Sequence, residues 1–96
     1  MSSTQRATWF VRGRVQGVGF RWWTRSRALE LGLVGHARNT ADGRVEVVAE
    51  GSPSSLDGLD RLLREDPSTT RRPGHVTSVV RQEAMAKGGI VGFVEK

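Results

Sequence analysis

The sequence has no cysteine among its 96 residues and only two histidines. The absence of cysteine excludes disulfide bonds, thiolate metal sites and a cysteine nucleophile. The histidines, His36 and His75, are not spaced as metal ligands, and no carboxylate cluster suited to magnesium accompanies them. Thiol chemistry is therefore excluded, and a metal centre is not expected.

Long apolar runs are also absent. The opening residues MSSTQRATW lack the apolar segment of a secretory signal, and no stretch approaches the roughly 18 apolar residues of a membrane span. We therefore expect a cytoplasmic protein without membrane association. No linker or internal repeat divides the chain, so residues 1–96 are predicted to form a single domain.

Positive charge is present in excess, because fifteen lysines and arginines against ten acids give a formal net charge of +5. Six arginines lie between Arg6 and Arg27. Such a surplus attracts anions, either small phosphates or nucleic acid, although a solvated arginine-rich surface has the same composition. Charge alone leaves the kind of partner open.

Strand and helix patterns follow one another in the order β-α-β-β-α-β, with a short strand added at the end. Alternating residues predict strands over residues 6–13, 33–39, 44–50 and 75–83, with the added strand near 90–95. Helical spacing predicts helices over residues 21–31 and from Pro53 onward, with Ser52 as a cap. The pair Asp42-Gly43 predicts a hairpin turn. This order predicts an α+β ferredoxin-like sandwich, in which a four- to five-stranded antiparallel sheet carries both helices on one face and meets water on the other.

The stretch GRVQGVGFR, from Gly13 to Arg21, places three glycines and an arginine at the predicted start of the first helix. Glycines let successive backbone N–H groups turn toward an anion, and a helix N-terminus favours the same charge. The pattern predicts a phosphate or carboxylate site, although a solvated glycine-rich turn would look the same. Its spacing matches neither a P-loop nor a dinucleotide-binding motif.

Asn39 ends its predicted strand, on the side that carries Leu33, Gly35 and Ala37. An amide at this point can hold a water or an anion, or it can cap the turn at Asp42-Gly43. The residues themselves leave both interpretations open.

GRVQGVGFR and LGLVGHARNTADGRVEVVAEG together closely resemble the acylphosphatases, enzymes that hydrolyse carboxyl-phosphate anhydrides. The resemblance covers the whole chain, although His36 stands where the family usually has tryptophan and the last strand matches loosely. It implies that Arg21 binds the substrate phosphate, that Asn39 orients the attacking water and that Thr40 supports Asn39. It also implies a cradle of backbone N–H groups from Val15, Gln16, Gly17, Val18, Gly19 and Phe20.

The resemblance further implies an acyl phosphate substrate, inorganic phosphate or sulfate as a ligand of the same site, no cofactor and a monomer. Two alternatives stay open: a non-catalytic anion-binding or regulatory module, and a basic nucleic-acid binder. An RNA binder of this fold would stack bases on aromatic side chains of the open sheet face. Phe10 is the one candidate for stacking on that face, so we expect no nucleic acid as a partner. Trp22 and Trp23 are expected on the first helix, as packing residues or as a rim to the site.

Overall fold

The computed structural model describes residues 3–96, which form five strands and two helices. The strands are β1 (Gln5–Arg14), β2 (Val34–Asn39), β3 (Val45–Gly51), β4 (His75–Met85) and β5 (Phe93–Glu95). The helices are α1 (Phe20–Glu30) and α2 (Pro53–Arg64). All strands belong to one sheet with the order β4-β1-β3-β2-β5. The order of the first four strands in this sheet, β4-β1-β3-β2, is the one that two interleaved β-α-β crossovers produce. This order confirms the ferredoxin-like prediction.

Local signals place the ends of the helices. The Ser52 hydroxyl accepts a hydrogen bond from the Ser55 N–H at 3.2 Å, and Pro53 occupies the first helical position, as predicted for α2. Gly32 follows α1 with a φ of 72°, the left-handed conformation that commonly ends a helix. These ends depend on residues that are neighbours in the chain, so sequence reasoning could find them.

The core lies between the two helices and one face of the sheet. Trp9 of β1 and Leu59 of α2 are fully buried there, and Phe20 and Trp23 of α1, whose ring centroids are 5.6 Å apart, are buried as well. Trp22 projects away from this core and is 60% exposed. Trp23 is therefore a packing residue, and Trp22 lies at the surface next to Arg21.

The last strand departs from the predicted antiparallel arrangement. β5 pairs in parallel with β2, with Gly35 opposite Phe93 and Ala37 opposite Glu95, so the sheet is mixed. β4 lies at the other edge and runs antiparallel to β1. After β4 the chain turns back and crosses to the opposite edge of the sheet. β5 therefore runs in the same direction as β2. β5 is also shorter than predicted, because it begins only at Phe93.

The connection between β4 and β5 covers part of the sheet face that was expected to meet water. Glu50 lies on that face yet is only 2% exposed, and its neighbour Val48 is also buried. The Glu50 carboxylate accepts hydrogen bonds from the N–H groups of Lys87 at 2.9 Å and Gly88 at 3.1 Å, and from Arg6 at 2.9 Å. The sheet face that was expected to meet water is therefore covered at this end. Glu50 anchors the segment that leads the chain to β5.

These donors, the Lys87 N–H foremost, stabilise the ionised form and lower the pKa of Glu50. A carboxyl group with a lowered folded-state pKa stabilises the fold above its unfolded pKa, about 4.3 for glutamate. That contribution is lost as the pH falls through the folded-state value.

We therefore expect Glu50→Gln to lower the free energy of unfolding by about 1–3 kcal/mol near neutral pH, because a backbone donor loses its acceptor. At a pH well below about 4, Glu50 itself becomes protonated, so the difference in unfolding free energy between the variant and the unchanged protein should become smaller. Urea unfolding near neutral pH and in acid measures both quantities, with the exposed Glu95→Gln as a control. A difference that did not change with pH would contradict this role of the Glu50 charge.

Candidate active site

The β1–α1 loop and the β2–β3 turn lie side by side at one end of the sheet. β1 and β3 are antiparallel neighbours, with Val11 opposite Val45, so the end of β1 lies beside the start of β3. Asn39 is opposite the same Val45 on the other side of β3. Strand pairing therefore brings the glycine-rich loop close to the strand end that carries Asn39.

The backbone of the loop requires its glycines. Gly17 and Gly19 have φ values of 74° and 85°, a left-handed conformation that strains residues with a side chain. Gly19 is the N-cap of α1, which has no side-chain cap and no acidic residue in its first turn. Among the hydrogen bonds within residues 3–96, none is donated by the N–H groups of residues 16–22. This run of N–H groups at a helix N-terminus suits an anion.

The main chain that directly follows β5 holds the side chain of Arg21. Nη1 of Arg21 donates a hydrogen bond to the Lys96 carbonyl, and the Lys96 N–H donates to the Ala37 carbonyl at 2.8 Å. One turn along α1, Nε of Arg25 donates to the Phe93 carbonyl at 3.0 Å. Sequence reasoning missed this support, since backbone carbonyls leave no mark in the pattern of side chains.

Asn39 is exposed at the end of β2, and none of the hydrogen bonds within residues 3–96 involves its side chain. The turn is held by Thr40, whose hydroxyl donates to Asp42 and accepts from the Arg44 N–H at 3.1 Å. The Thr40 hydroxyl, followed by Arg44, lowers the pKa of Asp42 to about 2. Asn39 therefore does not cap the turn, and its amide is accessible to another molecule. Thr40 acts on the turn and makes no hydrogen bond to Asn39 itself.

Gln16 was expected to contribute only its backbone N–H. Its side chain also crosses from the loop to the turn, where Nε2 donates to the carbonyls of Thr40 at 2.9 Å and Arg44 at 2.8 Å. Nothing in the local pattern indicates these two acceptors, which lie far along the chain. They become neighbours only when β1 and β3 pair.

On the face of the sheet opposite the helices, an arginine side chain covers Phe10. The Arg44 guanidinium carbon lies 4.5 Å from the centroid of the Phe10 ring and covers the aromatic residue proposed for stacking. The Phe10 ring is therefore only partly accessible on this face. His36 on the same face lies 3.7 Å from Glu46, and its pKa is lowered by burial and by the charge of Lys96.

Within residues 3–96, no three His, Asp or Glu side chains come together in a group that could hold a metal ion. No helix in that part of the chain is long and apolar enough to cross a membrane.

The family model for acylphosphatases matches residues 7–95. Over 91 residues, the chain is 55% identical to an acylphosphatase of Corynebacterium glutamicum (strain R), a match that covers 95% of this chain and 96% of that protein. An acylphosphatase of Saccharopolyspora erythraea is 57% identical over 91 residues, or 95% and 92% of the two chains. The crystal structure of acylphosphatase from Bacillus subtilis aligns with a TM-score of 0.84 at 32% identity, covering 96% and 98% of the two chains. These matches include both the loop and the turn.

Proposed function

Since this chain belongs to the acylphosphatase family, we propose that it hydrolyses acyl phosphates to a carboxylate and inorganic phosphate. The observation that best supports this function is the run of N–H groups from residue 16 to residue 22, which have no acceptor within residues 3–96 and lie beside Arg21. A phosphoryl dianion would give these groups acceptors and would complement the positive end of α1.

In the proposed mechanism, the loop and Arg21 bind the phosphoryl group. Its three outer oxygens carry the charge of the transition state, so fixed donors around them lower the barrier. One well-placed donor of this kind contributes about 3–4 kcal/mol. The planar guanidinium of Arg21 adds a permanent charge with two parallel donors.

Asn39 is proposed to hold the attacking water in line with the bond that breaks. The water oxygen bonds to phosphorus, and the bond between phosphorus and the acyl oxygen breaks with its electron pair going to the carboxylate. An amide is not a base near neutral pH, so the water proton goes to a phosphate oxygen. A carboxylate leaves without protonation, and the reaction therefore needs no general acid.

We propose further that residues 1–96 act as one monomeric domain in the cytoplasm, without a cofactor. Inorganic phosphate, or sulfate of similar shape, would bind the same N–H groups and compete with the substrate. The distinction from a purely anion-binding module then lies in turnover, because both would bind phosphate.

The purified protein should hydrolyse benzoyl phosphate at an unchanged rate when a strong chelator is added. It should leave simple phosphate monoesters nearly untouched, because their leaving groups need a proton that Arg21 and Asn39 cannot supply. A continuous assay of benzoyl phosphate with and without chelator tests this, and inorganic phosphate should inhibit competitively. Phosphate binding without turnover of any acyl phosphate would support the regulatory module instead.

A further inference from the structure

Both amide hydrogens of Gln16 are used between the loop and the turn. One is donated to the Thr40 carbonyl and the other to the Arg44 carbonyl, at 2.9 and 2.8 Å. Within residues 3–96, these are the only hydrogen bonds that join loop residues 15–19 to residues 39–44. The side chain is partly buried, so solvent competes weakly for its donors.

The two carbonyls have other partners within the turn. The Arg44 carbonyl also accepts from the Thr40 N–H at 2.8 Å, and the Thr40 carbonyl accepts from the Gly43 N–H at 3.3 Å. The turn therefore keeps its own hydrogen bonds without Gln16. The contribution of Gln16 lies in the connection of this turn to the loop.

We propose that Gln16 is a positioning residue that sets the distance between the anion-binding loop and Asn39. Asn39 directly precedes Thr40, and Gln16 directly precedes Gly17, so the two hydrogen bonds join the segments that carry the proposed water and phosphate sites. This inference rests on the proposed function, because it takes Asn39 as the residue that orients the water.

The chemistry makes this distance important. In-line attack requires the water and the phosphorus to be held close to contact, and a misplacement of about 1 Å can cost roughly 100-fold in rate. Gly17 and Gly19 permit the loop many backbone conformations, so a fixed link to the turn is needed to select one. Glutamine has both the reach and the two donors for this link, whereas methionine has a similar length and no donor.

We expect Gln16→Met to lower kcat about tenfold to 100-fold, because loop and turn can shift relative to each other. The affinity for inorganic phosphate and the melting temperature should stay close to those of the unchanged protein, since the loop N–H groups and the turn remain. Gln16→Asn, whose amide is too short to reach both carbonyls, should also lose kcat while keeping a polar side chain. Gln82→Met, at an exposed position on β4, is the matched control and should change nothing.

A double-mutant cycle with Asn39→Ala tests whether Gln16 acts through Asn39. If it does, Gln16→Met should cause little further loss of kcat in the Asn39→Ala background. An equal loss in both backgrounds, or an unchanged kcat in both Gln16 variants, would overturn the proposal.

A readout that needs no turnover separates this inference from the proposed function. Titration with inorganic phosphate, followed by NMR, should shift the amide signals of Gly17, Asn39 and Thr40 in the unchanged protein. In Gln16→Met, the Gly17 signal should still shift fully, while those of Asn39 and Thr40 should shift clearly less than in the unchanged protein. Coupled shifts in Gln16→Met would overturn the link, whereas an active Asn39→Ala with uncoupled shifts would contradict only the proposed role of Asn39.

Discussion

Asn39→Ala should abolish most turnover of benzoyl phosphate while phosphate binds with nearly unchanged affinity. The loop N–H groups and Arg21 remain in place in this variant, so the ground-state contacts to phosphate are kept. The lost contact is the proposed one to the attacking water, which would matter mainly in the transition state. Loss of one oriented hydrogen-bonding group of this kind lowers kcat about 100-fold to 1,000-fold. Steady-state kinetics together with calorimetric titration of phosphate measures both quantities.

Stability should change little in Asn39→Ala, by less than about 0.5 kcal/mol, because Asn39 is exposed and the turn is held by Thr40. Asn39→Asp should be equally inactive, since a carboxylate there would repel the phosphoryl dianion that Asn39 is proposed to face. Gln82→Ala serves as an amide control on the same sheet. If Asn39→Ala kept its rate, the assignment of the water to Asn39 would be wrong.

Arg21→Ala should lower phosphate affinity and turnover together. The guanidinium is proposed to contact the phosphoryl oxygens in both the bound substrate and the transition state, so its loss affects KM, the phosphate Kd and kcat. Arginines that stabilise phosphoryl transfer contribute about 1,000-fold or more to kcat. Arg21→Lys should recover little of this, because an ammonium group lacks the two parallel donors.

Arg25→Ala is the matched control for Arg21→Ala. Arg25 lies on the same helix, and its Nε donates a hydrogen bond to the Phe93 carbonyl of β5 at 3.0 Å, whereas Arg21 donates to Lys96 directly after β5. The control therefore removes an equal charge and a similar hydrogen bond to the main chain of residues 93–96, but not the proposed phosphate contact. Equal losses of phosphate affinity in the two variants would show that Arg21 acts only through general charge or through its hydrogen bond to residues 93–96.

Together, Asn39→Ala and Arg21→Ala distinguish a residue that positions the water from one that binds the phosphate. A loss of kcat at constant phosphate affinity is the signature of a contact made mainly in the transition state. A parallel loss of affinity and kcat indicates a contact made throughout the reaction. We expect Asn39→Ala to show the first pattern and Arg21→Ala to show the second.

Several features of the fold could be predicted because their causes lie within a few residues in the chain. Ser52 and Pro53 begin α2, Gly32 follows the end of α1, and Asp42-Gly43 forms the turn. The placement of Phe10 on the face of the sheet opposite the core was likewise correct, and its neighbour Trp9 on the other face is fully buried. The direction of β5 could not be predicted in this way, since it depends on the path of a connection across the whole sheet.

By itself, the sequence determined the order of the elements, the likeness to acylphosphatases, and the candidates Arg21 and Asn39, because residue types and local spacing carry this information. Tertiary structure alone decided that Glu50 is buried, that the Lys96 carbonyl holds Arg21, and that Gln16 reaches the turn. Each of these contacts joins residues at least 24 positions apart, and several involve backbone groups that every residue possesses. Such partners are selected by strand order and register, so they can be identified only once the sheet has formed.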